Sequence, residues 1–418
     1  MMIKNAKWVE LLTTLLPYPR FSLAERDRRW HEVRKLMRAQ SIDAIVVPNN
    51  TGHSTDFQAN GRYLTHVGGG GDSDISAVFP LEGEVSAFAA SASARWPCVQ
   101  DWTQDVRESG RSHGHAVVER LKELNIDRGR IGIAGLGADT RTPEGTMLHG
   151  FWLVLSAAFP HVDFVDATHI LRQVRFVKSE EEVEVLRKSA QIIEKGIEAK
   201  IAAAKPGVLD WNVWAAALSA MMHHGSEIPV HQNWLSGKNP IRTLTRPTFR
   251  PLERGDLIID ELEASWIGYR SQIVQPVFVG EADPRHVELI KVQRVIFNRL
   301  LEHFRPGVSL RELAELTERT CQREAPKTGP AAGAIGRLTM HGRGAGDDGP
   351  IIAGNNMYDS KDLDIVLQAN MVCILKPSAE TTVSGEKTIC RWGDTVVVRP
   401  GGGERLSTLT HDLAISAC

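Results

Sequence analysis

The stretch from Leu257 to Gly280, LIIDELEASWIGYRSQIVQPVFVG, limits what this chain can fold into more than any other segment. It opens as an apolar run (Leu257, Ile258, Ile259), turns at Trp266-Ile267-Gly268, and leaves as a second run from Tyr269 to Val279. Two β-rich runs joined at a glycine predict a buried hairpin. Glu261 and Glu263 are two residues apart, so on a strand they share one face. Two carboxylates inside an otherwise apolar hairpin are costly unless they are partnered or put to use. A solvated edge face is the competing reading.

The chain has 418 residues, 42% hydrophobic and 24% charged, which suits two ordinary globular domains. A net charge of −2 gives no electrostatic reason to expect nucleic acid or an anionic membrane as partner. No apolar run reaches the ~18 residues of a membrane helix. The N-terminal stretch MMIKNAKWVELLTTLLPYPRF carries Glu10 and lacks a small-residue cleavage site, a poor signal peptide. The cysteines (Cys98, Cys321, Cys373, Cys390, Cys418) are odd in number and show no C-x-x-C spacing. A reduced, cytoplasmic protein is expected.

The first half alternates helix and strand patterns and predicts an α/β domain with a mixed sheet. Ser22 and Glu25 form a capping box opening a helix to about Arg38. Ile42–Pro48 and Gly61–Val67 read as strands, and Ile75–Pro80 with Glu84–Ala89 as a hairpin. His113–Leu124 and Gly145–Ala158 read as helices flanking a strand at Gly132–Gly135. The run Gly68-Gly69-Gly70-Gly71 lacks the Lys-Ser/Thr of a phosphate loop and reads as a loop; His53 and Asp56 lie in the loop before Gly61. Capping boxes at Ser179/Glu182 and Ser309/Glu312 open two further helices, with others at Asp210–His224 and Val287–Phe304. His223-His224 resembles a metal pair, but neighbours on a helix point about 100° apart, so a helix-end role fits better. The last third is strand-like: Met371–Leu375, Lys387–Arg391 and Thr395–Arg399.

These segments resemble the "pita-bread" family of methionine aminopeptidases, aminopeptidase P, prolidase and creatinase. Gly255-Asp256, an apolar strand, and Gly268-Tyr269-Arg270-Ser271-Gln272 match that family's first metal hairpin. His341-Gly342-Arg343-Gly344 matches its H-G-x-G, Lys376-Pro377 its Glu-Pro, and Gly393-Asp394-Thr395-Val396 its Glu-Asp-Thr-Val. The resemblance implies an N-terminal creatinase-like α/β domain at 1–173 and a C-terminal pita-bread domain with a curved antiparallel sheet at 174–418. It also implies five metal positions. Here they carry Glu261, Gln272, His341, Lys376 and Gly393 where the family has Asp, Asp, His, Glu and Glu. Asp260 would take the first position only if one residue were inserted. Asp347-Asp348-Gly349-Pro350 replaces a family H-E-x-P, and Leu244 stands where creatinase has its acid/base histidine.

An ammonium at the fourth position repels a divalent cation by several kcal/mol at ~4 Å, even at an effective dielectric of ~20. Glutamine is a poor ligand and glycine offers none; hard cations need several anionic oxygens. No metal and no other cofactor is expected. Glu261, Glu263, His341 and Lys376 are the candidate catalytic groups; Arg343, Gln272, Gln275 and, from the R-Y-L-T segment, Arg62 are candidate substrate contacts. Glu263 or His341 would act as base, and Lys376 or Arg343 would hold a carboxylate or an oxyanion. The expected activity is metal-independent hydrolysis of a C–N bond in a small carboxylate-bearing compound by a homodimer. Elimination from such a compound and a catalytically dead binding protein are the alternatives.

Overall fold

The computed structural model describes residues 18–49, 59–68, 74–90, 99–110, 112–138, 142–228, 232–244, 246–346, 348–352 and 362–417. His53, Asp56, Gly69-Gly70-Gly71, Cys98, Thr245, Asp347, Cys418 and the N-terminal stretch through Pro17 lie outside them. The chain divides into two compact units. One is built up to Phe176; the other runs from Val177 onward, apart from a short piece at 345–347.

The first unit is a six-stranded mixed sheet with helices. β1 (Ala44–Val47) runs antiparallel to β2 (Ile75–Pro80) and parallel to β5 (Gly129–Ile133). β2 returns as β3 (Ser86–Ala89), the hairpin expected from sequence. β4 (Asp105–Glu108) and β6 (Val162–Asp166) close the two edges, each in a parallel pair. Neither edge strand shows in the sequence, because half-exposed strands carrying Asp, Arg and Glu lack an apolar run. The helices are α1 (Leu23–Ala39), α2 (Ala59–Thr65), α3 (His113–Glu123), α4 (His149–Ala158) and α5 (Thr168–Phe176). Only half of the capping box on α1 forms. Ser22 Oγ accepts the Glu25 N–H at 3.1 Å, but the Glu25 carboxylate is taken by Arg28 and Arg29.

The strand expected at Gly61–Val67 is instead helix α2. His66 N–H donates to the Arg62 carbonyl at 2.8 Å, and Thr65 Oγ donates to the Gly61 carbonyl at 2.8 Å. Almost every residue of α2 is buried. A short helix buried all round has no amphipathic period and cannot be told from a buried strand by pattern.

The second unit packs long helices on short sheets. α6 (Glu180–Ala203) and α9 (Leu310–Glu324) both carry the complete capping boxes read from the sequence. Between them lie α7 (Asp210–His223) and α8 (Pro284–His303). The expected hairpin is β8 (Leu257–Trp266) and β9 (Tyr269–Ile273), closed by Ile267 and Gly268, both at positive φ as a two-residue I′ turn requires. The returning strand is not continuous to Val279. It breaks at Val274–Pro276, where Val274 bridges to Gly393 and Pro276 has no N–H to give, then resumes as β10 (Val277–Val279). β7 (Asn233–Gly237) and β10 flank β8, and β19 (Ala414–Ser416) adds to β10 in parallel. A second layer orders β13 (Ile351–Ile352), β12 (Met340–Gly342), β14 (Val372–Leu375), β17 (Asp394–Val397) and β18 (Glu404–Arg405), all antiparallel. β15 (Ser378–Val383) joins β11 (Ile335–Arg337) and β16 (Glu386–Arg391) in a third. The sheets are therefore antiparallel except at β10–β19. No described helix is long and apolar enough to cross a membrane.

The two faces of β8 do different work. Asp260 points toward α6, where its carboxylate pairs with Lys200, both side chains fully buried, and Lys200 also donates to the Gln275 carbonyl at 2.7 Å. Burial pulls the Lys200 ammonium down in pKa and pushes the Asp260 carboxyl up, while their attraction opposes both shifts. Breaking a buried pair from one side strands a charge. Lys200→Met should destabilise the protein by about 3–5 kcal/mol in urea denaturation, and Lys200→Met with Asp260→Leu should recover most of that loss.

Candidate active site

The opposite face of β8 carries Glu261 and Glu263. The hairpin register sets Glu263 directly across from Gln272, and Gln272 Nε2 donates to Glu263 Oε1 at 3.1 Å. Thr395 on β17 holds Gln272 in place from the second layer. Its Oγ accepts the Gln272 N–H at 2.9 Å and donates to the Gln272 carbonyl at 2.8 Å. Lys376 follows β14 and reaches back across this seam. Its Nζ donates to Glu261 Oε1 at 2.7 Å and to Gln272 Oε1 at 2.9 Å. Arg343 closes the other end, with Nη2 at 2.5 Å from Glu263 Oε1. Glu261, Lys376, Gln272, Glu263 and Arg343 thus form one unbroken chain of contacts. Asn233 Nδ2 on β7 adds a bond to Glu261 Oε2 at 3.1 Å.

Two carboxylates face two cations in this chain, so it is neutral overall. Glu263 and Arg343 are almost wholly buried, and Lys376 is 4% exposed against 13% for Glu261. Burial lowers the Lys376 pKa. The Glu261 carboxylate works against that shift, and the Arg391 and Arg343 cations add to it. Glu263 Oε2 is buried with no hydrogen-bond partner among the described residues. His341, also buried, sits across from Ile374 on β14, two residues before Lys376, so alternation puts imidazole and ammonium on one side of the layer. Its Nδ1 lies 3.2 Å from the Gly342 carbonyl. A proton on Nδ1 would donate there and leave Nε2 as the acceptor.

Two glycines shape the cradle by close approach. A Cβ on Gly342 would sit 1.1 Å from the Asp348 carbonyl oxygen, so the H-G-x-G turn packs backbone on backbone. A Cβ on Gly393 would lie 2.4 Å from that of Lys376 and 2.9 Å from the Leu375 carbonyl oxygen. The space of a side chain at 393 is taken by Lys376.

The remaining sequence candidates are Gln275, Arg62 and Asp260. Gln275 faces away from the network: its Oε1 accepts from Trp392 Nε1 at 2.8 Å and its Nε2 donates to the Asp412 carbonyl at 2.8 Å. It stands three residues from Gln272, across the break in the strand, so the two side chains diverge. Arg62 stands in the first unit, on α2 rather than on a strand. Asp260 belongs to the Lys200 pair, which leaves Glu261 as the residue facing Lys376. Sequence reasoning missed Asn233 and Arg391. Arg391, at the end of β16, lines the cavity beside Glu261, and its Nε is buried without a hydrogen-bond partner among the described residues. Its place two residues before Gly393 was the available signal.

Residues 184–400, just over half of the chain, match the model of metallopeptidase family M24. The chain belongs to this family. Residues 29–177 also match the creatinase/prolidase N-terminal domain. Among M24 relatives, a Xaa-Pro dipeptidase of Pyrococcus horikoshii is 23% identical over 73% of this chain and 82% of its own length. A creatinase from a Bacillus species is 24% identical over 86% of this chain and 84% of its own. The fold is that of an X-Pro aminopeptidase from Thermotoga maritima (TM-score 0.73, 20% identity), covering 92% of this chain and 99% of that one.

The family description implies metal, and the donor set can be tested against it. Glu261 and His341 are the two residues at the five positions that could ligate strongly. The Lys376 ammonium stands within hydrogen-bond distance of both Glu261 and Gln272, and Gly393 has no side chain and no room for one. Among the described residues no group of three or more His, Cys, Asp or Glu is placed to hold an ion. These residues do not fit a pair of divalent cations.

Gly393→Ala should overpack the seam and cost about 1–3 kcal/mol in chemical denaturation, with Lys376 displaced. Two nearby imidazoles set a pH dependence. Burial drives His286 down to about 4, with Asp283 opposing the shift and Arg285 adding to it. Burial, with Arg294 and Arg405, drives His411 down to about 3, where it stacks on Trp392. The unfolded chain binds these protons at about pH 6.5 and the folded one does not. Stability should therefore fall as pH drops from about 6.5 toward 4, and His411→Phe should flatten that slope in denaturant titrations.

Proposed function

We propose that this protein is a metal-independent hydrolase that cleaves a C–N bond in a small carboxylate-bearing compound. The observation that carries the reading is the continuous network from Glu261 through Lys376, Gln272 and Glu263 to Arg343, in which Glu261, Gln272 and Lys376 stand at three of the five positions where the family resemblance implies metal ligands. Kinship with proteins named Xaa-Pro dipeptidase and creatinase supports small nitrogenous substrates. The network supports the same chemistry without a metal ion.

In the proposed reaction a water molecule beside Glu263 loses its proton to Oε2, the buried oxygen without a described partner. The resulting hydroxide attacks the substrate carbonyl carbon. Negative charge grows on the carbonyl oxygen, where the Lys376 ammonium and the Arg343 guanidinium lie in a nearly dry site that strengthens their effect. The C–N bond then breaks, and the departing nitrogen takes a proton delivered through His341, which Glu263 resupplies. Water is consumed, and an acid and an amine are released. Glu261 is a positioning residue in this scheme: it holds Lys376 protonated against the burial that would neutralise it. Kinship with creatinase supports a homodimer, which light scattering would test.

The purified enzyme should carry well under one metal ion per chain and keep full turnover of small N-acyl amino acids after dialysis against EDTA. Glu263→Gln and Lys376→Ala should each lose at least a hundredfold in kcat while staying folded by circular dichroism. Stoichiometric metal whose removal abolishes activity would overturn the reading.

A further inference from the structure

The inner face of β8 does not end at Glu261. The same alternation carries it past Ile259 to Leu257, four residues and about 13 Å further along the strand at ~3.3 Å per residue. A cavity follows this face. It is walled by Arg242 from the loop after β7 and by Arg391 from β16, and His286 on α8 also lines it.

Its lining is electrostatically one-sided. Of the acids that border it, Glu261 is paired with Lys376 and Asp260 with Lys200. Arg242 forms no hydrogen bond or ion pair with a described residue, and neither does the Arg391 Nε. His286 is 1% exposed, and both ring nitrogens are buried without a hydrogen-bond partner among the described residues. Among the described residues its one ring neighbour is Phe278, edge-on at 5.3 Å. A buried imidazole without partners is a costly arrangement for a group that serves only packing. Two cations without counter-ions beside it leave a net positive cavity continuous with the Glu261–Lys376 pair.

We propose that this cavity is a distal subsite for an anionic group, in which Arg242 binds a carboxylate of the substrate and His286 donates a ring N–H to it. The reading rests on the proposed hydrolase and deepens it by placing the substrate's charge. The scissile bond lies near Lys376 and Glu263, and the carboxylate lies toward Leu257, several bonds away. The ligand is then an extended N-acyl amino acid with its carboxylate remote from the amide, not an α-amino acid derivative with the two adjacent. The buried His286 ring stays neutral at physiological pH, which suits one N–H donor beside an arginine that carries the charge. Ile241, Leu257 and Ile389 would contact the methylene chain between the two ends.

The test is calorimetric titration of the full-length protein with N-acetyl-4-aminobutyrate and with its uncharged amide, N-acetyl-4-aminobutyramide. The acid should bind at least tenfold more tightly than the amide. Arg242 is exposed, so Arg242→Gln leaves the fold intact and should remove that preference; His286→Gln should weaken the acid and leave the amide unchanged. Absence of measurable acid binding, equal affinity for acid and amide, or an unchanged preference in Arg242→Gln would overturn the proposal. Hydrolysis of the same probe is read separately. Acid-selective binding without turnover keeps the subsite and rejects the hydrolase, whereas turnover with equal affinities does the reverse.

Discussion

Burying one ammonium dictates the arrangement around it. Lys376 sits where two β-layers meet, almost out of reach of water, and an unpaired charge there would cost several kcal/mol. It is neutralised by Glu261 from one layer and further held by the side-chain amide oxygen of Gln272 from the returning strand of the hairpin. Gln272 must in turn be fixed, and the Thr395 hydroxyl fixes it by bonding both of its backbone polar groups. The I′ turn at Ile267-Gly268 sets the register that puts Glu263 opposite Gln272. A shift of one residue would send these side chains into the packed face against α6.

The same strand shows how a fold keeps structural and functional charge apart. β8 carries two buried ion pairs on opposite faces. Asp260 with Lys200 anchors the sheet to α6, with both side chains fully buried. Glu261 with Lys376 borders a cavity and shares its cation with Gln272. Alternation along a strand keeps the two from exchanging partners, so a site can be rebuilt on one face while the anchor on the other is untouched.

Much of this was legible in the chain. The hairpin, the capping boxes at Ser179 and Ser309, and the facing of Glu261 and Glu263 follow from local rules of period and capping, which neighbouring residues suffice to state. Lys376 opposite Glu261 came from motif order, since nothing local joins residues 115 apart in the sequence. The readings that differ share one cause. α2 reads as a strand in the sequence because burial on all sides erases its period; Gln275 reads as a neighbour of Gln272 because the break at Val274–Pro276 depends on a bridge to Gly393, far along the chain. His286 carries no signal in the sequence because a helix-borne histidine acquires meaning only from what the fold leaves unpaired beside it, and Arg391 offers only its place two residues before Gly393.

Gly393 and Lys376 occupy one volume between them. In this backbone any side chain at 393 would overlap the Cβ of residue 376, so position 393 takes nothing larger than glycine unless the two strands move apart. An acid placed at 393 would therefore meet a filled space, and one placed at 376 would set a third carboxylate beside Glu261 and Glu263 with one fewer cation to answer it. Neither substitution alone assembles a ligand set for a divalent ion: the first needs the backbone to part, and the second leaves the seam short of positive charge.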